Sequence, residues 1–361
     1  MNKDEIQKLT IRKDTTLQHS LKKLDEGGEK ILYVLDENEK FYGTLTDGDI
    51  RRWILNTGGL SGTAGEICNE NPISVETGYN IESIKSILLE KKIESVPIVE
   101  NGKIIDILVW EKVFEGDYTE EQNTQGMLTK LDIPVVIMAG GKGTRLDPFT
   151  RILPKPLIPI GEKPIIEIII DRFRKWDINK FYLSVNHKSR VIKAFFEELN
   201  PSYSIEYLEE EEPLGTAGSL KFLEGRIQGP FIVSNCDIII DEDYAEVLQY
   251  HQEEDNDITL VASVKNYNIP YGVCDIENGG ILKQIREKPE YNFLVNTGLY
   301  IINSEALKYI PKDTFFHTTD LIAELQKQGK SIGVYPVSEK SWIDVGEWEE
   351  YQSTIAQFKN L

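Results

Sequence analysis

The sequence predicts an α/β fold in which a mixed, mostly parallel sheet is flanked by helices, with a smaller α+β module of two repeats in front of it. From residue 133 onward, short β-rich apolar runs alternate with helical patterns, which is typical of a parallel sheet covered by helices. Earlier in the chain, one pattern of strands and helices occurs twice at an offset of about 64 residues. A polar stretch at 116–130 separates the two regions and is typical of a linker.

The predicted domains are a repeat pair at 1–116, a linker at 117–132 and an α/β domain at 133–361. The clearest strand predictions are 134–139, 181–185, 231–235 and 258–264, and the clearest helix predictions are 188–199 and 241–254. Ligands of such sheets bind at the carboxyl ends of the strands. We therefore expect functional side chains directly after the apolar runs.

Composition excludes several classes of protein. The formal net charge of −20 argues against a nucleic-acid-binding surface, because neutralising phosphates requires clustered Lys and Arg. The three cysteines are widely spaced, so neither a disulfide framework nor a zinc site is predicted. The N-terminal segment is polar, and no apolar run approaches the ~20 residues that span a bilayer. These features predict a cytoplasmic protein without a membrane partner.

A glycine-rich segment follows the first predicted strand of the α/β domain. Residues 138–146 read Met-Ala-Gly-Gly-Lys-Gly-Thr-Arg-Leu. The three glycines permit positive φ and close backbone approach, and their N–H groups can form a nest for phosphate oxygens. The segment matches neither GxxxxGK[ST] nor GxGxxG. Taken alone, it fits a simple glycine-rich turn as well as a phosphate loop.

Lys155 lies between Pro154 and Pro156. Proline fixes its own φ and restricts the residue before it, so the backbone at this lysine is stiff. A lysine that must point at a phosphate benefits from that rigidity, whereas a solvated surface lysine does not need it. The alternative interpretation is an extended connector with a solvated lysine.

Further motifs follow along the α/β domain. They are PLGTAGS at 213–219, NCD at 235–237, EKP at 287–289, NTG at 296–298 and WIDVG at 342–346. Together with the glycine-rich segment and PKPLIPIGEKPIIE, they resemble the signature of the sugar-1-phosphate nucleotidyltransferases. The resemblance implies a Rossmann-like nucleotide-diphospho-sugar transferase fold. It also implies an enzyme that transfers NMP from an NTP to a sugar 1-phosphate and releases pyrophosphate.

The resemblance implies roles for residues at matching positions. Arg145 and Lys155 match catalytic contacts to the NTP phosphates, and Asp237 and Asp344 match ligands of Mg²⁺, which also takes phosphate and water oxygens. The other implied nucleotide contacts are Gly140, Gly141, Lys142, Gly143, Thr144, Gly215 and Thr216, and the implied sugar-phosphate contacts are Gly272, Glu287, Lys288 and Asn296. Taken singly, these residues have ordinary explanations: a helix N-cap or turn for each Asp, an exposed ion pair for Glu287 and Lys288, and a turn for NTG.

Four consecutive glutamates, 209–212, precede PLGTAGS. Guanine presents N1–H and N2–H₂ as donors, and a carboxylate accepts from both. Glu210 falls where some relatives place a base-reading Gln, and the segment resembles the guanylyltransferases more than the thymidylyl- or uridylyltransferases. The sequence therefore predicts GTP as the donor. The alternative is a solvated acidic run, which is the usual meaning of such a series.

The N-terminal repeat resembles a tandem CBS pair. Residues 43–49 (GTLTDGD) match the G-x-x-[ST]-x-x-D pattern that holds an adenine nucleotide in that family, which implies contacts from Thr46 and Asp49. The second repeat has Asp106, Val109 and Lys112 at the matching places, and we predict that it binds no nucleotide. A helix N-cap explains Thr46 and Asp49 equally well.

Among relatives that join a CBS pair to this domain, the chain is similar to the glucosamine-1-phosphate guanylyltransferases of legionaminic acid biosynthesis. This similarity implies a hexosamine acceptor such as glucosamine 1-phosphate. It also implies a homodimer, because paired CBS modules often dimerise in related proteins. The alternatives are a uridylyl- or cytidylyltransferase of the same family and a non-catalytic paralogue that binds nucleotide sugars. Retention of Arg145, Lys155, Asp237 and Asp344 favours an enzyme.

Overall fold

The computed structural model describes residues 3–27, 30–91, 93, 95–109, 113, 130–346, 348 and 350–352. The chain forms two compact units, Met1–Met127 with Tyr267–Asn292, and Leu128–Asn266 with Phe293–Leu361. The first unit therefore combines both repeats with a segment from within the predicted α/β domain. Most of the linker predicted at 117–132 lies outside the described residues.

The two N-terminal repeats have the same sheet topology. The first contains α1 (Lys3–Leu9), β1 (Thr10–Arg12), α2 (Leu17–Gly27), β2 (Ile31–Leu35), β3 (Phe41–Thr46) and α3 (Asp47–Thr57), and the second contains α4 (Ala64–Ile67), β4 (Val75–Glu76), α5 (Ile81–Lys91), β5 (Ser95–Glu100) and β6 (Lys103–Val109). In each repeat the first two strands pair parallel and the last two pair antiparallel. The Tyr33 and Ser95 hydroxyls, one from each repeat, form a buried hydrogen bond of 2.8 Å. The two repeats thus pack together.

The second unit is built on a seven-stranded sheet. The strands from residue 135 onward are β7 (Val135–Met138), β8 (Pro159–Ile160), β9 (Lys163–Pro164), β10 (Lys180–Val185), β11 (Ser204–Glu209), β12 (Pro230–Asn235), β13 (Ile238–Ile240), β14 (Ile258–Asn268), β15 (Val273–Ile276), β16 (Leu282–Arg286), β17 (Glu290–Asn303), β18 (Ile332–Val337) and β19 (Trp342–Asp344). The sheet order is β11-β10-β7-β12-β17-β14-β18. Neighbours from β11 to β12 are parallel, as are β14 and β18, whereas β12 and β17 are antiparallel. The predicted mixed, mostly parallel sheet is confirmed.

Helices cover both faces of this sheet. They are α6 (Ile165–Arg174), α7 (Ser189–Leu199), α8 (Tyr244–Glu253) and α9 (Thr318–Lys327). Val135 and Ile137 of β7 belong to a core that includes apolar residues of α6, α7 and α8. Val136, which points to the other face, belongs to a second core with Leu321 and Leu325 of α9. Because β7 is buried on both faces, it has the continuous apolar sequence that is typical of a central parallel strand.

Two helix starts differ slightly from the predictions. The helix predicted at 241–254 begins at Tyr244, because the Asp243 side chain caps it by accepting from the Ala245 and Glu246 N–H groups. The helix predicted at 188–199 begins at Ser189, after a left-handed Lys188. None of the helices that the structure describes has the length and apolar character that crossing a bilayer requires.

Candidate active site

Four parallel strands of the second unit end in register at one edge of the sheet. Met138 of β7 is level with Ser184 of β10 and Asn235 of β12, and Val185 of β10 is level with Glu209 of β11. The glycine-rich segment, the acidic run and Asp237 follow β7, β11 and β12. They therefore start at the same carboxyl edge, where sheets of this kind bind ligands.

The glycine-rich segment is held in a conformation that requires glycine. Gly143 has a φ of +66°, and a Cβ there would lie 2.8 Å from Thr150 Cγ2 and 2.9 Å from Lys155 Cβ. A side chain at this position would be strained and would overlap both neighbours. The exposed side chains of the segment are Lys142, Thr144 and Arg145.

Lys155 is buried, with 8% of its surface exposed, in the short 3₁₀ helix Lys155–Leu157. Its ammonium donates a hydrogen bond to Asp237 Oδ2. Taking an ammonium out of water is costly unless it is paired, and the Asp237 carboxylate provides the pairing. Lys155 is therefore not the solvated connector residue of the alternative interpretation.

A small antiparallel pair, β13 with β19, brings two distant carboxylates together. The Val345 N–H donates to the Asp237 carbonyl at 2.8 Å. A Cβ on Gly346 would lie 2.6 Å from Asp237 Oδ2, 2.8 Å from Asp344 Oδ1 and 3.3 Å from Lys155 Nζ. Asp237, Asp344 and Lys155 therefore converge on one point, which Gly346 leaves open.

The electrostatics of this cluster favour a bound cation. Burial raises the pKa of Asp344, and the neighbouring Asp237 carboxylate raises it further. The Gly346 N–H, which donates to Asp344 Oδ1 at 2.7 Å, and the charges of Lys155 and Arg145 lower it. A cation between the two carboxylates would favour the ionised form of Asp344.

The donor set fits Mg²⁺. Over the part of the chain that the structure describes, His, Cys, Asp and Glu side chains form no group of three or more that could hold a metal ion. Asp237 and Asp344 alone would supply two hard oxygen ligands. Mg²⁺ commonly binds through one or two carboxylates together with substrate phosphates and water, so a pair suffices for this ion.

Glu210 differs from its three acidic neighbours. Its Oε2 accepts the Leu214 N–H at 2.9 Å, and its Oε1 accepts the Ser184 hydroxyl. A Cβ on Gly140 would lie 3.3 Å from Oε1. The exposed members of the run are Glu209, Glu211 and Glu212. The acidic run is thus solvated except at Glu210, whose carboxylate lies against the glycine-rich segment.

The PLGTAGS loop packs on the segment that leads into α9. Gly215 has a φ of +79°, and a Cβ there would lie 2.7 Å from the Phe316 carbonyl oxygen. Thr216 Oγ1 accepts the Thr318 N–H at 3.0 Å. Glycine at 215 therefore permits the loop backbone to approach that of Phe316 closely, and Thr216 holds the loop against the start of α9.

The residues implied for the sugar phosphate fall in both units. Gly272, Glu287 and Lys288 belong to the unit that contains the repeats, and Asn296 belongs to the other. A Cβ on Gly272 would lie 3.0 Å from Glu287 Oε2, so these two are neighbours. Asn296 Nδ2 donates to the Tyr300 hydroxyl at 2.7 Å. Their contacts with a sugar stay a prediction.

Thr46 and Asp49 form a capping box at the start of α3. Thr46 Oγ1 accepts the Asp49 N–H at 3.2 Å, and Asp49 Oδ2 accepts the Thr46 N–H at 2.8 Å. Arg52 also bonds to Asp49. The N-cap interpretation is therefore realised in the structure, and nucleotide binding stays a prediction. In the second repeat, Asp106 and Val109 are in β6, and Lys112 lies outside the described residues.

Three residues of this region have no role that the sequence predicts: Gly346, Asn186 and Lys188. Gly346 was part of a recognised motif, but only the structure shows that it faces both carboxylates. Asn186 and Lys188 directly follow β10. Their place after the apolar run 181–185 is the sequence signal that points to them.

Comparison with known proteins is consistent with this geometry. Residues 134–360 match the nucleotidyl transferase family, and residues 1–56 and 64–115 match the CBS domain. The mannose-1-phosphate guanyltransferase of Kluyveromyces lactis is 32% identical over 238 residues, which cover 62% of this chain and 64% of that protein. A putative mannose-1-phosphate guanyltransferase of Sulfolobus acidocaldarius is 31% identical over 223 residues, 61% of each chain.

Among solved structures, HddC from Yersinia pseudotuberculosis matches with a TM-score of 0.50 and 26% identity, over 63% of this chain and 99% of HddC. The chain spans just under two thirds of the length of the curated relatives that it matches.

Proposed function

Because the chain belongs to the nucleotidyl transferase family, we propose that it transfers the nucleoside monophosphate of an NTP to a sugar 1-phosphate and releases pyrophosphate. The observation that carries this proposal is the convergence of Lys155, Asp237 and Asp344 on the space left by Gly346. The buried Lys155 ammonium lies beside two carboxylates that would hold a metal cation. Positive charges at this place suit a reaction between two polyanionic substrates.

The reaction needs positioning and charge neutralisation more than proton transfer. An oxygen of the sugar phosphate, already anionic, attacks the α-phosphorus, and the bond to the bridging oxygen of the leaving pyrophosphate breaks. No general base is required, so catalysis depends on alignment and on cationic groups. We assign Lys155 and Arg145 to the phosphates of the NTP and of the leaving pyrophosphate. The Lys155 ammonium has three N–H donors, and Asp237 accepts one of them.

Asp237 and Asp344 would hold Mg²⁺, with phosphate and water oxygens as the other ligands. Bound there, Mg²⁺ would neutralise charge on the reacting phosphates. The raised pKa of Asp344 supports this assignment, because burial next to a second carboxylate disfavours its charge unless a cation is present.

We propose GTP as the donor. Relatives at about 30% identity are named guanyltransferases. A carboxylate has about four lone-pair positions. The Ser184 hydroxyl of β10 occupies one on Oε1 of Glu210, and the Leu214 N–H occupies one on Oε2. The remaining positions would accept guanine N1–H and N2–H₂. The other proposed nucleotide contacts are Gly140, Gly141, Lys142, Gly143, Thr144, Gly215 and Thr216.

Glu210→Gln tests the role in base choice. The variant should lose preference for GTP over other NTPs, and inosine triphosphate, which lacks the 2-amino group, should react more slowly than GTP with the wild type. The measurement is pyrophosphate release with each NTP. Preference of the wild type for UTP or CTP over GTP would show that Glu210 does not select guanine.

The acceptor is proposed to be a hexose or hexosamine 1-phosphate. The relatives are named for mannose 1-phosphate, and the similarity to CBS-linked guanylyltransferases implies glucosamine 1-phosphate. Gly272, Glu287, Lys288 and Asn296 are the proposed sugar-phosphate contacts.

For the N-terminal repeats we propose adenine nucleotide binding at Thr46 and Asp49 and a role in homodimer formation. Matches of both repeats to the CBS domain support this. We also propose a cytoplasmic location, where nucleoside triphosphates are available.

The test of the proposed function is a grid of NTPs against sugar 1-phosphates, with Mg²⁺ and with EDTA. We expect pyrophosphate from GTP with mannose 1-phosphate or glucosamine 1-phosphate, and none in EDTA. The absence of product from every pair would overturn the proposal.

A further inference from the structure

The segment between β10 and α7 contacts both loops of the proposed donor site. Asn186, His187 and Lys188 follow the carboxyl end of β10 directly. Lys188 is the N-cap of α7 and has φ 56° and ψ 32°, in the left-handed region. That conformation is uncommon for a residue other than Gly, Asn or Asp. The presence of lysine in this unfavourable conformation indicates that its side chain has a specific role.

The Lys188 ammonium reaches Thr150, four residues beyond the glycine-rich segment. Its Nζ donates to the Thr150 carbonyl at 2.8 Å. Thr150 is buried, and its Cγ2 fills the space beside Gly143, 2.8 Å from the place of a Cβ. Lys155 Cβ lies at 2.9 Å from the same place. Lys188 therefore fixes a residue against which Gly143 of the glycine-rich segment packs.

Asn186 reaches the opposite loop. Its Nδ2 donates to the Glu210 carbonyl at 2.7 Å. Its Cβ and main-chain N would each lie 3.4 Å from a Cβ on Gly140, and the His187 N–H points to the Gly140 carbonyl at 3.4 Å. Asn186 therefore joins the acidic run to the start of the glycine-rich segment.

We propose that Asn186 and Lys188 are positioning residues that hold the glycine-rich loop and the Glu210 loop in one arrangement, so that phosphates and base of the donor meet a preorganised site. This inference rests on the proposed function. The two side chains come from one short segment, and each donates to a main-chain carbonyl of a different loop. Preorganisation of this kind lowers the ordering cost that a ligand must overcome, so the effect falls on the donor NTP and not on the sugar 1-phosphate.

Three substitutions of Lys188 separate positioning from stability. Lys188→Met removes the donor and keeps the length. Lys188→Asn replaces the long ammonium with a short, neutral amide and tolerates the left-handed backbone better. Lys188→Arg keeps a long donor. Because a hydrogen bond from a charged group is lost, we expect the KM for GTP to rise roughly tenfold in the Met and Asn variants, while the KM for the sugar 1-phosphate changes little. Arg should restore most of the affinity.

The matched control is Lys180→Met, at the other end of β10, which should keep wild-type kinetics. Thermal unfolding is measured for every variant. If Lys188 were only structural, the Met variant would lose Tm with an unchanged KM for GTP, and the Asn variant would recover Tm; that result would overturn the proposal. Asn186→Ala should raise the KM for GTP in the same way.

Hydrogen exchange gives a readout that does not depend on activity. Without substrate, Lys188→Met should speed exchange of main-chain amides in 141–152 and also in 209–214, relative to the wild type and to Lys180→Met. If the wild type forms no pyrophosphate with any substrate pair, the proposed function fails. The hydrogen-exchange comparison then tests by itself whether Lys188 positions the two loops. Unchanged exchange in both segments would overturn it.

Discussion

Replacing Gly346 with alanine places one methyl group at the centre of the proposed metal site. The new Cβ would lie 2.6 Å from Asp237 Oδ2 and 2.8 Å from Asp344 Oδ1, whereas ordinary contact begins at 3.4 Å. At least one carboxylate oxygen must therefore shift by about 0.8 Å. A misplacement of about 1 Å can cost about 10²-fold in rate, and we expect a loss of kcat on that order.

The backbone of Gly346 is not in the positive-φ region, so alanine is compatible with it. Gly→Ala at a compatible position gains about 0.4–1 kcal/mol through the unfolded chain, which offsets part of the steric cost, and the variant should stay folded. The assay is pyrophosphate release at saturating GTP and sugar 1-phosphate over a series of Mg²⁺ concentrations. Both kcat and the apparent Mg²⁺ affinity should fall.

Gly59→Ala is the matched control, because a Cβ at Gly59 meets nothing within 4 Å and its φ is not positive. It should match the wild type in rate and Mg²⁺ dependence. Wild-type kcat in Gly346→Ala would refute the idea that the metal and the reacting phosphates depend on these two carboxylates in this arrangement.

Further outcomes are expected at three residues. Asp344→Asn keeps the shape of the side chain but removes its charge, so turnover should be nearly abolished at every Mg²⁺ concentration, and substantial activity would contradict the ligand assignment. Lys155→Ala should lower kcat by ~10²–10³, as the loss of one preorganised donor does, and a steady-state kcat equal to wild type would remove it from the mechanism. Burial lowers the pKa of His251 below 6.5; since the folded state holds the neutral ring, its stability should be complete above about pH 6.5 and decline as the pH falls through the folded-state pKa. Urea unfolding from about pH 8 to pH 5 measures this, and His251→Gln should show a weaker pH dependence.

The sequence was most informative about the sheet. The apolar runs at 134–139, 181–185, 231–235 and 258–264 all contain or overlap strands, because burial on both faces leaves continuous apolar sequence. The predicted helix starts were less accurate. A helix start depends on a cap such as Asp243 or on a left-handed residue such as Lys188, and the left-handed conformation is unusual for lysine. Nor did periodicity predict that 267–292 belongs to the same compact unit as the repeats, since grouping depends on long-range packing.

For the candidate site, the sequence predicted residue types better than contacts. Asp237 and Asp344 follow apolar stretches, and the family resemblance implied a metal there, since a cap or a turn explains each Asp taken singly. Their approach depends on the pairing of β13 with β19, two three-residue strands that no periodicity could match. Glu210 was singled out from four glutamates by position, but its bonds to Ser184 and Leu214 come from tertiary structure.

The pairing of β13 with β19 also affects the order of events in folding. These strands are far apart in sequence. Contacts between distant segments form slowly, because the entropy cost of closing a long loop comes before the contact can stabilise the chain. A nascent or refolding chain can build β7, β10 and the glycine-rich segment while Asp237 still has no partner carboxylate. Catalytic competence should therefore arrive late in folding: activity recovered after dilution from denaturant should lag behind the return of secondary structure, and a fragment that lacks 342–346 should stay inactive however well its sheet has formed.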